Sequence, residues 1–550
     1  MKKYILIIFY SFLNVILTAQ TVGLTKYNSQ TELDYVLFSP NGDTNTFLID
    51  RCGELVHKWA SVYRPGMSTY LLSNGNLMRA GKLTNTFFSN AGGGGGIIEI
   101  YDWNGNLIWD YVISDSLQYQ HHDIEFLPNG NILAITWDRK TLLEADMEGR
   151  DTNTVDGKFW SEKIVEIQPN YSNNTGTIIW EWYLWDHLIQ DFDNTKNNYG
   201  IVSDFPELIN INFPITIQPK FDWAHINGID YNESLDQIVL SAHSFSEFWI
   251  IDHSTTTTEA ATHAGGNSGK GGDILYRWGN PMAYQRGSVA NQLLFKQHDV
   301  NWIDDSLMDA GKLITFNNQV GKNAVGGDYS AVEIITPPVD GNGNYTLLSA
   351  QSYGPIASSY TYLANPPSSF YGQLISGANR IENGHTLICE GPSGRFFEIN
   401  QSDSIVWEYV NPMSNLGMLT QGNIPQNNAV FRCAGYSANY SGLLGQTLIS
   451  LGPLELNPTP SICNTTALEE IVFNRDLLIY PNPAKNSFAI NFGSLEEKGE
   501  VKIYNMFGDV VYTGWIKGSM TIKINSFKKG VYLVKVVSEN NYYQNKLVIE

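Results

Sequence analysis

Between Tyr35 and about Leu451, apolar and polar residues alternate in short runs, broken at intervals by Gly, Asn and Asp. A period of two between turn residues predicts β-strands joined by tight turns. Two signatures carry the pattern. The first is a strand, a polar turn and a second strand. It reads MSTYLLSNGNLM (67–78), QHHDIEFLPNGNILAITW (120–137), FDWAHINGIDYNESLDQIVLSAHSFSEFW (221–249), QHDVNWIDDSLMDAGKLITFNN (297–318) and SGANRIENGHTLI (376–388). The second is an acidic or polar turn followed by apolar alternation ending in Trp. It reads LIDRCGELVHKW (48–59), YDWNGNLIWDY (101–111), NTGTIIWEWY (174–183), GDILYRWGNP (272–281) and FFEINQSDSIVWEYVNP (396–412). The paired signatures recur at a spacing of roughly 55–80 residues, with one longer interval. That predicts a β-propeller with one four-stranded blade per repeat. Five blades are explicit, and a sixth is assembled from weaker matches near the two ends. Six is therefore the expected count, with seven as the alternative.

Aligned on the turn, His122, His225 and His298 fall in one slot, roughly five residues ahead of it. The innermost strands of a propeller line a central channel, so polar residues far apart in sequence meet there. The three rings are expected to converge at one channel mouth, within reach of a single tetrahedral anion. His121 adjoins His122, Asn227 and His243 flank the second slot, and Asn318 ends the third repeat. A neutral imidazole is a competent nucleophile. Clustered imidazoles depress one another's pKa, leaving some neutral and some charged near pH 7. Charged rings and amides stabilise a developing oxyanion. Asp123 and Asp299 each follow a slot His; they either orient a ring or point away and cap a turn. His57 reads as structural. His253, His263 and His385 fall in loops or turns and are expected to be solvated, and His187 is a candidate lid residue. The Trp residues that end the hairpins are expected to pack between blades, whereas Trp137, Trp223 and Trp302 are placed to stack an aryl ring.

Composition narrows the class. Of 550 residues, 13% are aromatic, with 14 Trp, 30 Tyr and 49 Gly, which agrees with an all-β chain. A formal charge of −21 disfavours nucleic acid or an anionic membrane as partner. The 183–220 stretch keeps no strand period and reads as an insertion across one channel mouth. Residues 255–272 and the glycine run Gly92–Gly96 read as loops or crossings; no GK[ST] follows, so neither is a phosphate loop. Residues 1–19 combine a basic start with a short apolar run and read as a secretory signal, the alternative being a membrane anchor. Export makes one disulfide possible among Cys52, Cys389, Cys433 and Cys463. The expected domains are a signal at 1–19, a propeller at 20–455, a linker at 456–476 and a small C-terminal β-sandwich at 477–550.

Two resemblances add to this. YPNP (480–483), IYNMFG (503–508), KGVYLVKV (529–536) and a final KLVI resemble the C-terminal sorting domain of type IX secretion. That implies export through the outer membrane by the type IX machinery, with membrane contact only during export. LFSPNGDTNTFLIDRCGELVHKW, HHDIEFLPNGN, DWAHINGIDYN, GDILYRWGNP, QHDVNW and GANRIENGHTLICEGPSGRFFEI resemble the bacterial arylsulfotransferase family over nearly all of 35–436. The resemblance implies a six-bladed propeller that moves a sulfuryl group from an aryl sulfate to a phenolic acceptor. It needs neither a nucleotide donor nor another cofactor. It makes His298 the nucleophile that carries the group as sulfohistidine. It makes His225, Asn227 and a His of the pair His121–His122 sulfuryl contacts; Asp299, next to the nucleophile, and Asn318, at the end of its repeat, are substrate-binding candidates from their place in the sequence alone. The family's arginine falls on His243, where a titratable ring replaces a fixed bidentate cation.

Two other functional classes fit the same residues. One is a metal enzyme using His121, His122, Asp123, His225 and His298, although no tightly spaced metal motif such as HExxH is present. The other is a non-catalytic secreted propeller that binds glycan or protein through its loops.

Overall fold

The computed structural model describes residues 21–550 apart from 91, 217–218, 460–462, 464–476, 492–497, 507–508, 526 and 538–541, and the side chains of residues 542 and 544. The expected signal at 1–19 and most of the expected linker lie outside the described residues. The chain forms two compact units, Met1–Ser461 and Ile462–Glu550. Both are built from antiparallel sheets with few helices, so the all-β expectation holds.

In the first unit the short amphipathic runs pair as consecutive meanders. Four sheets are continuous in sequence: Pro65–Leu71 to Leu107–Val112, Gln118–Phe126 to Thr175–Tyr183, Ile226–Asn232 to Tyr276–Trp278, and His298–Trp302 to Tyr360–Tyr362. The other two join the ends of the unit. Val430–Tyr436 pairs with Tyr35–Pro40, which continues to Asn45–Asp50 and Leu55–Ala60. Gly23–Tyr27 adds a fifth strand to Gly377–Arg380 through Ile405–Val410. The first strands of the six sheets pack against one another in cyclic order, and Val430–Tyr436 returns to Pro65–Leu71.

The hairpin-ending Trp residues tie each sheet to the next. Trp59, Trp109, Trp182, Trp278 and Trp407 are buried. Their indole N–H groups donate to the backbone carbonyls of Asp102, Thr175, Gly272, Pro355 and Arg51, at 2.7–3.0 Å. Each acceptor lies in the following sheet or the segment leading into it. The ring supplies apolar area, and the N–H fixes the spacing between neighbouring sheets. In the fourth meander Tyr360 takes this place, its hydroxyl donating to Asp403.

The 183–220 stretch forms short turns and a two-residue parallel pairing of Leu188–Ile189 with Ile209–Asn210. Cys389 and Cys433 are free, buried thiols, so neither forms the bridge that export makes possible. The second unit consists of a three-stranded and a four-stranded antiparallel sheet. Their alternating apolar residues, among them Phe488, Ile490, Val501, Ile503, Val534 and Leu547, form one buried cluster.

Candidate functional site

One slot histidine, His122, lies inside a bulge, and His225 and His298 stand at the edge of one. Opposite Ile135 the first His strand carries three residues, His121 to Asp123, between its paired positions Gln120 and Ile124. Register also slips between Ile226 and Ile229 and between His298 and Asn301. His122 and Asp299, inside these bulges, have φ of 52° and 58°, and His225, just ahead of Ile226, has φ of 50°. A left-handed backbone at a non-glycine residue costs about 1–2 kcal/mol, and here it turns side chains off the pleat toward the neighbouring first strands. The result is an arc of rings. Successive centroids lie 5.1 Å (His121–His122), 4.6 Å (His122–His225), 5.1 Å (His225–His243) and 5.0 Å (His243–His298) apart. The glycine run closes over this arc. The His122 amide donates to the Gly93 carbonyl, and a Cβ on Gly93 (φ +87°) would stand 1.9 Å from the His122 ring.

Hydrogen bonds settle the protons. Asn318 donates its amide hydrogens to the Gly372 and Ile375 carbonyls, so its oxygen accepts from His298 Nδ1 at 2.9 Å. His298 Nε2 therefore carries the lone pair, which accepts the Ile375 N–H at 3.2 Å. Burial is the main cause that pulls the His298 pKa down to about 3, so the ring is neutral. His225 is the opposite case. Burial lowers its pKa, but the Asp222 carboxylate, 2.5 Å from Nδ1, outweighs that and raises it above the ordinary value. His225 is the cation of the arc. Burial, followed by the other rings, holds His122 and His243 well below the usual range.

Behind His122 runs a buried chain of proton carriers. Glu162 Oε2 lies 2.7 Å from His121 Nε2, and His121 Nδ1 lies 2.8 Å from His122 Nδ1. Burial raises Glu162 well above the carboxylate range and lowers His121 well below the imidazole range. Glu162 Oε1 accepts the Ile226 amide, which leaves the acid proton on Oε2. One arrangement satisfies every link: Glu162 donates to His121, His121 donates to His122, and His122 presents Nε2–H. The Nε2 atoms of His122, His225 and His243 have no protein partner among the described residues, while His243 Nδ1 is buried and unpaired. An orphan lone pair is tolerated better than an orphan N–H, so His243 also carries its proton on Nε2.

Other expected residues lie near the arc in different roles. Asn227 donates to the Gln297 carbonyl at 3.0 Å, bracing the strand of His298, and its Oδ1 accepts no bond among the described residues. Asp123 and Asp299 turn away from the rings. Both bind Arg432, with Asp123 also accepting from Tyr70 and Asp299 from the Ala378 amide. Arg432 also donates to the Asn227 carbonyl at 2.8 Å. Beyond it lies a cavity of about 290 Å³ lined by Tyr70, Glu125, Asp230, Asp299 and Trp302 and by none of the histidines. Burial raises Asp230 to about 7 and Asp299 to about 6 there. Of the aryl-stacking candidates, Trp137 stacks on His121 (4.0 Å, 6°) and donates to Asp222; Trp223 packs against Phe159 and Phe245.

Glu162, Asp222, Arg432, Lys296 and the Ile375 amide escaped the sequence reading. Asp222 stands three residues before His225, a spacing that links a carboxylate to a ring. Lys296 stands two residues before His298 and donates to the Ser244 carbonyl at 3.2 Å; burial lowers its pKa to about 8. His253 and His385 are not solvated as expected. Carboxylates draw them in: His253 bridges Asp236 and Glu166, and His385 binds Glu398 at 2.6 Å. His57 stacks on Trp103 at 4.3 Å.

The profile described as "Secretion system C-terminal sorting domain" matches residues 478–550, which directs the chain by type IX secretion to the cell surface or outside. An endo-acting ulvan lyase of Formosa agariphila is 33% identical over 86 residues, covering 15% of this chain and 16% of the lyase. Among solved structures, a Bacteroides caccae protein of unknown function is similar with TM-score 0.39 and 11% identity, over 73% of this chain and 98% of that one. Hydrazine synthase of Kuenenia stuttgartiensis is similar with TM-score 0.33 and 13% identity, over 57% and 71%. The profile described as "Arylsulfotransferase (ASST)" matches residues 20–333, more than half of the chain, and with that match the chain belongs to the arylsulfotransferase family.

Proposed function

We propose that this chain moves a sulfuryl group from an aryl sulfate to a phenolic acceptor through a sulfohistidine on His298, with no nucleotide donor. The observation that supports the reading is the contrast within one arc: a neutral His298 whose Nε2 lone pair is held only by the Ile375 N–H, beside three rings whose Nε2 atoms have no protein partner among the described residues. In the first half-reaction His298 Nε2 attacks sulfur and the aryl O–S bond breaks. The leaving oxygen takes the electron pair, and then a proton from His122 that His121 and Glu162 replace in turn. His225 as imidazolium and His243 Nε2–H stabilise the sulfuryl oxygens, and the Ile375 amide, which holds the His298 Nε2 lone pair at rest, is released to them as that lone pair attacks. Donors aimed at developing charge are worth about 10²–10³ each in rate. In the second half-reaction the phenol returns its proton to His122, its oxygen attacks sulfur, and the N–S bond breaks to restore neutral His298.

The six sheets in cyclic order are read as a six-bladed propeller whose channel holds the arc. Residues 20–455 form this catalytic part, 477–550 a β-sandwich, and 1–19 a cleaved signal. Lys296 takes over part of the positive charge that the family's arginine would bring to the position of His243.

The test is incubation with an aryl sulfate and no acceptor. Wild type is expected to gain one sulfuryl group, mapped by mass spectrometry to His298, and His298→Ala to lose both adduct and turnover. Full turnover in His298→Ala would remove the nucleophile assignment. An unmodified wild type that consumes no aryl sulfate would remove the sulfotransferase reading.

A further inference from the structure

A second histidine cluster lies outside the arc, where the 183–220 stretch meets the loop before Tyr276–Trp278. His187 is fully buried, stacked parallel to Trp182 at 5.7 Å. Its Nε2 lies 2.8 Å from the Ala260 carbonyl oxygen, and its Nδ1 lies 2.8 Å from Asp273 Oδ1. His263 Nδ1 reaches the same carboxylate oxygen at 2.7 Å. The three ligand atoms lie within 4.8 Å of one another.

The carbonyl of Ala260 carries no proton, so Nε2 of His187 must donate. In the neutral ring Nδ1 is then a lone pair pressed against an anionic oxygen in a buried place. Either a proton or a metal cation between the two atoms satisfies this contact. A backbone carbonyl that fixes one ring nitrogen so the other faces outward as a lone pair is the usual support of a metal-bound imidazole. His263, whose side chain is 62% exposed, supplies a second nitrogen and leaves the outer side of the cluster open to water. Its Nε2 is in no hydrogen bond among the described residues, so it is free to take the proton. Around a tetrahedral zinc ion the ligand atoms stand about 3.3 Å apart. Asp273 would therefore move back by a few tenths of an ångström, and it follows directly on the glycines Gly271 and Gly272.

We propose that His187, His263 and Asp273 bind a divalent d-block cation, zinc by preference, with water in the remaining position. Two imidazoles and one carboxylate suit zinc, whereas calcium and magnesium prefer all-oxygen sets. The ion joins the 183–220 stretch to the 257–273 loop. The surroundings fit a preformed clamp. Trp182 donates to the Gly272 carbonyl at 2.7 Å, and a Cβ on Gly272 would stand 2.1 Å from the Ala260 oxygen and 2.5 Å from His187 Nε2. The site is independent of the sulfuryl-transfer reading and is tested by metal content and melting rather than turnover.

The full chain, purified without a polyhistidine tag, is stripped with chelator and titrated with zinc chloride by calorimetry. Bound metal is counted by plasma mass spectrometry. Wild type should hold about one zinc per chain and melt several degrees higher at about 100 times the Kd. His263→Ala changes an exposed side chain and should melt like stripped wild type. It should bind zinc more than about 100-fold more weakly, beyond what losing an outer-shell partner costs. Asp273→Asn should do the same. Cobalt(II) in place of zinc should give visible ligand-field bands in wild type and none in His263→Ala. Stripped wild type that neither binds zinc nor gains in melting temperature would overturn the proposal. So would binding that His263→Ala leaves intact, which would put the ion on other ligands.

Discussion

Within the arc, five imidazoles of one chemical type hold different charges because their partners differ. Asp222 keeps His225 protonated, while burial without a carboxylate keeps His298 neutral. This division predicts a pH dependence. Turnover should fall as pH rises through the raised pKa of His225, and Asp222→Asn should move that fall to lower pH in a kcat/KM profile. A profile unchanged by Asp222→Asn would count against the role of His225. Glu162→Gln tests the proton chain. The amide still donates to His121, but it has no acid proton to pass on. Turnover should drop by about 10²-fold or more for poor leaving groups such as phenyl sulfate and far less for nitrophenyl sulfate. The histidines could be singled out from sequence because a repeat places them in one slot. Their partners could not. Glu162 comes from the third strand of its sheet and Arg432 from a run, FRCAGY, with no turn motif. A partner brought by folding leaves no local spacing to read.

Among the elements, the bulge and the glycine run act together. A Cβ on Gly93 would overlap the His122 ring, and its left-handed φ already excludes a side chain without strain. Gly93→Ala should displace the His122 ring and lower kcat by about 10²-fold, the cost of misplacing a group by roughly an ångström. Urea unfolding should lose only about 1–2 kcal/mol from the strained backbone, and a folded variant with that much larger loss of kcat would separate positioning from stability. The tryptophan links make the converse prediction. Trp407→Phe keeps the apolar ring but strips the Arg51 carbonyl of its donor. It should cost about 1–3 kcal/mol in urea unfolding and leave the sulfuryl adduct intact. The period-two strands and the hairpin-ending Trp were readable because both are set by local alternation and turn chemistry. The fifth strand Gly23–Tyr27 was not, because its pairing partner stands almost four hundred residues away.

For the whole molecule, buried neutral histidines set the acid limit of stability. His122, His243 and His298 have folded pKa values below the ordinary 6.5, His298 at about 3. As pH falls below 6.5 the unfolded rings take up protons and the folded ones do not. Stability present at neutral pH is therefore lost between about 6.5 and 3, at up to about 1.4 kcal/mol per pH unit for each ring. His253, raised to about 9 by Asp236 and Glu166 against its own burial, has the opposite sign. Its contribution is complete below 6.5 and is lost as pH rises to about 9, so His253→Gln should flatten the alkaline limb of a melting-temperature profile. Urea midpoints that do not change between pH 7 and pH 5 would contradict the neutral rings. The two sheets that join the ends also set an order of arrival. A chain emerging from the ribosome, or threading through an export pore, has its slot histidines long before Val430–Tyr436 appears. Until then Asp123 and Asp299 lack Arg432, and the first strands have no closing neighbour. The last strand of the first unit's cyclic set thus works as a latch: in a chain cut short before it or still in transit the histidines are present but the circle that gathers them is open, and the proposed chemistry waits for its closure.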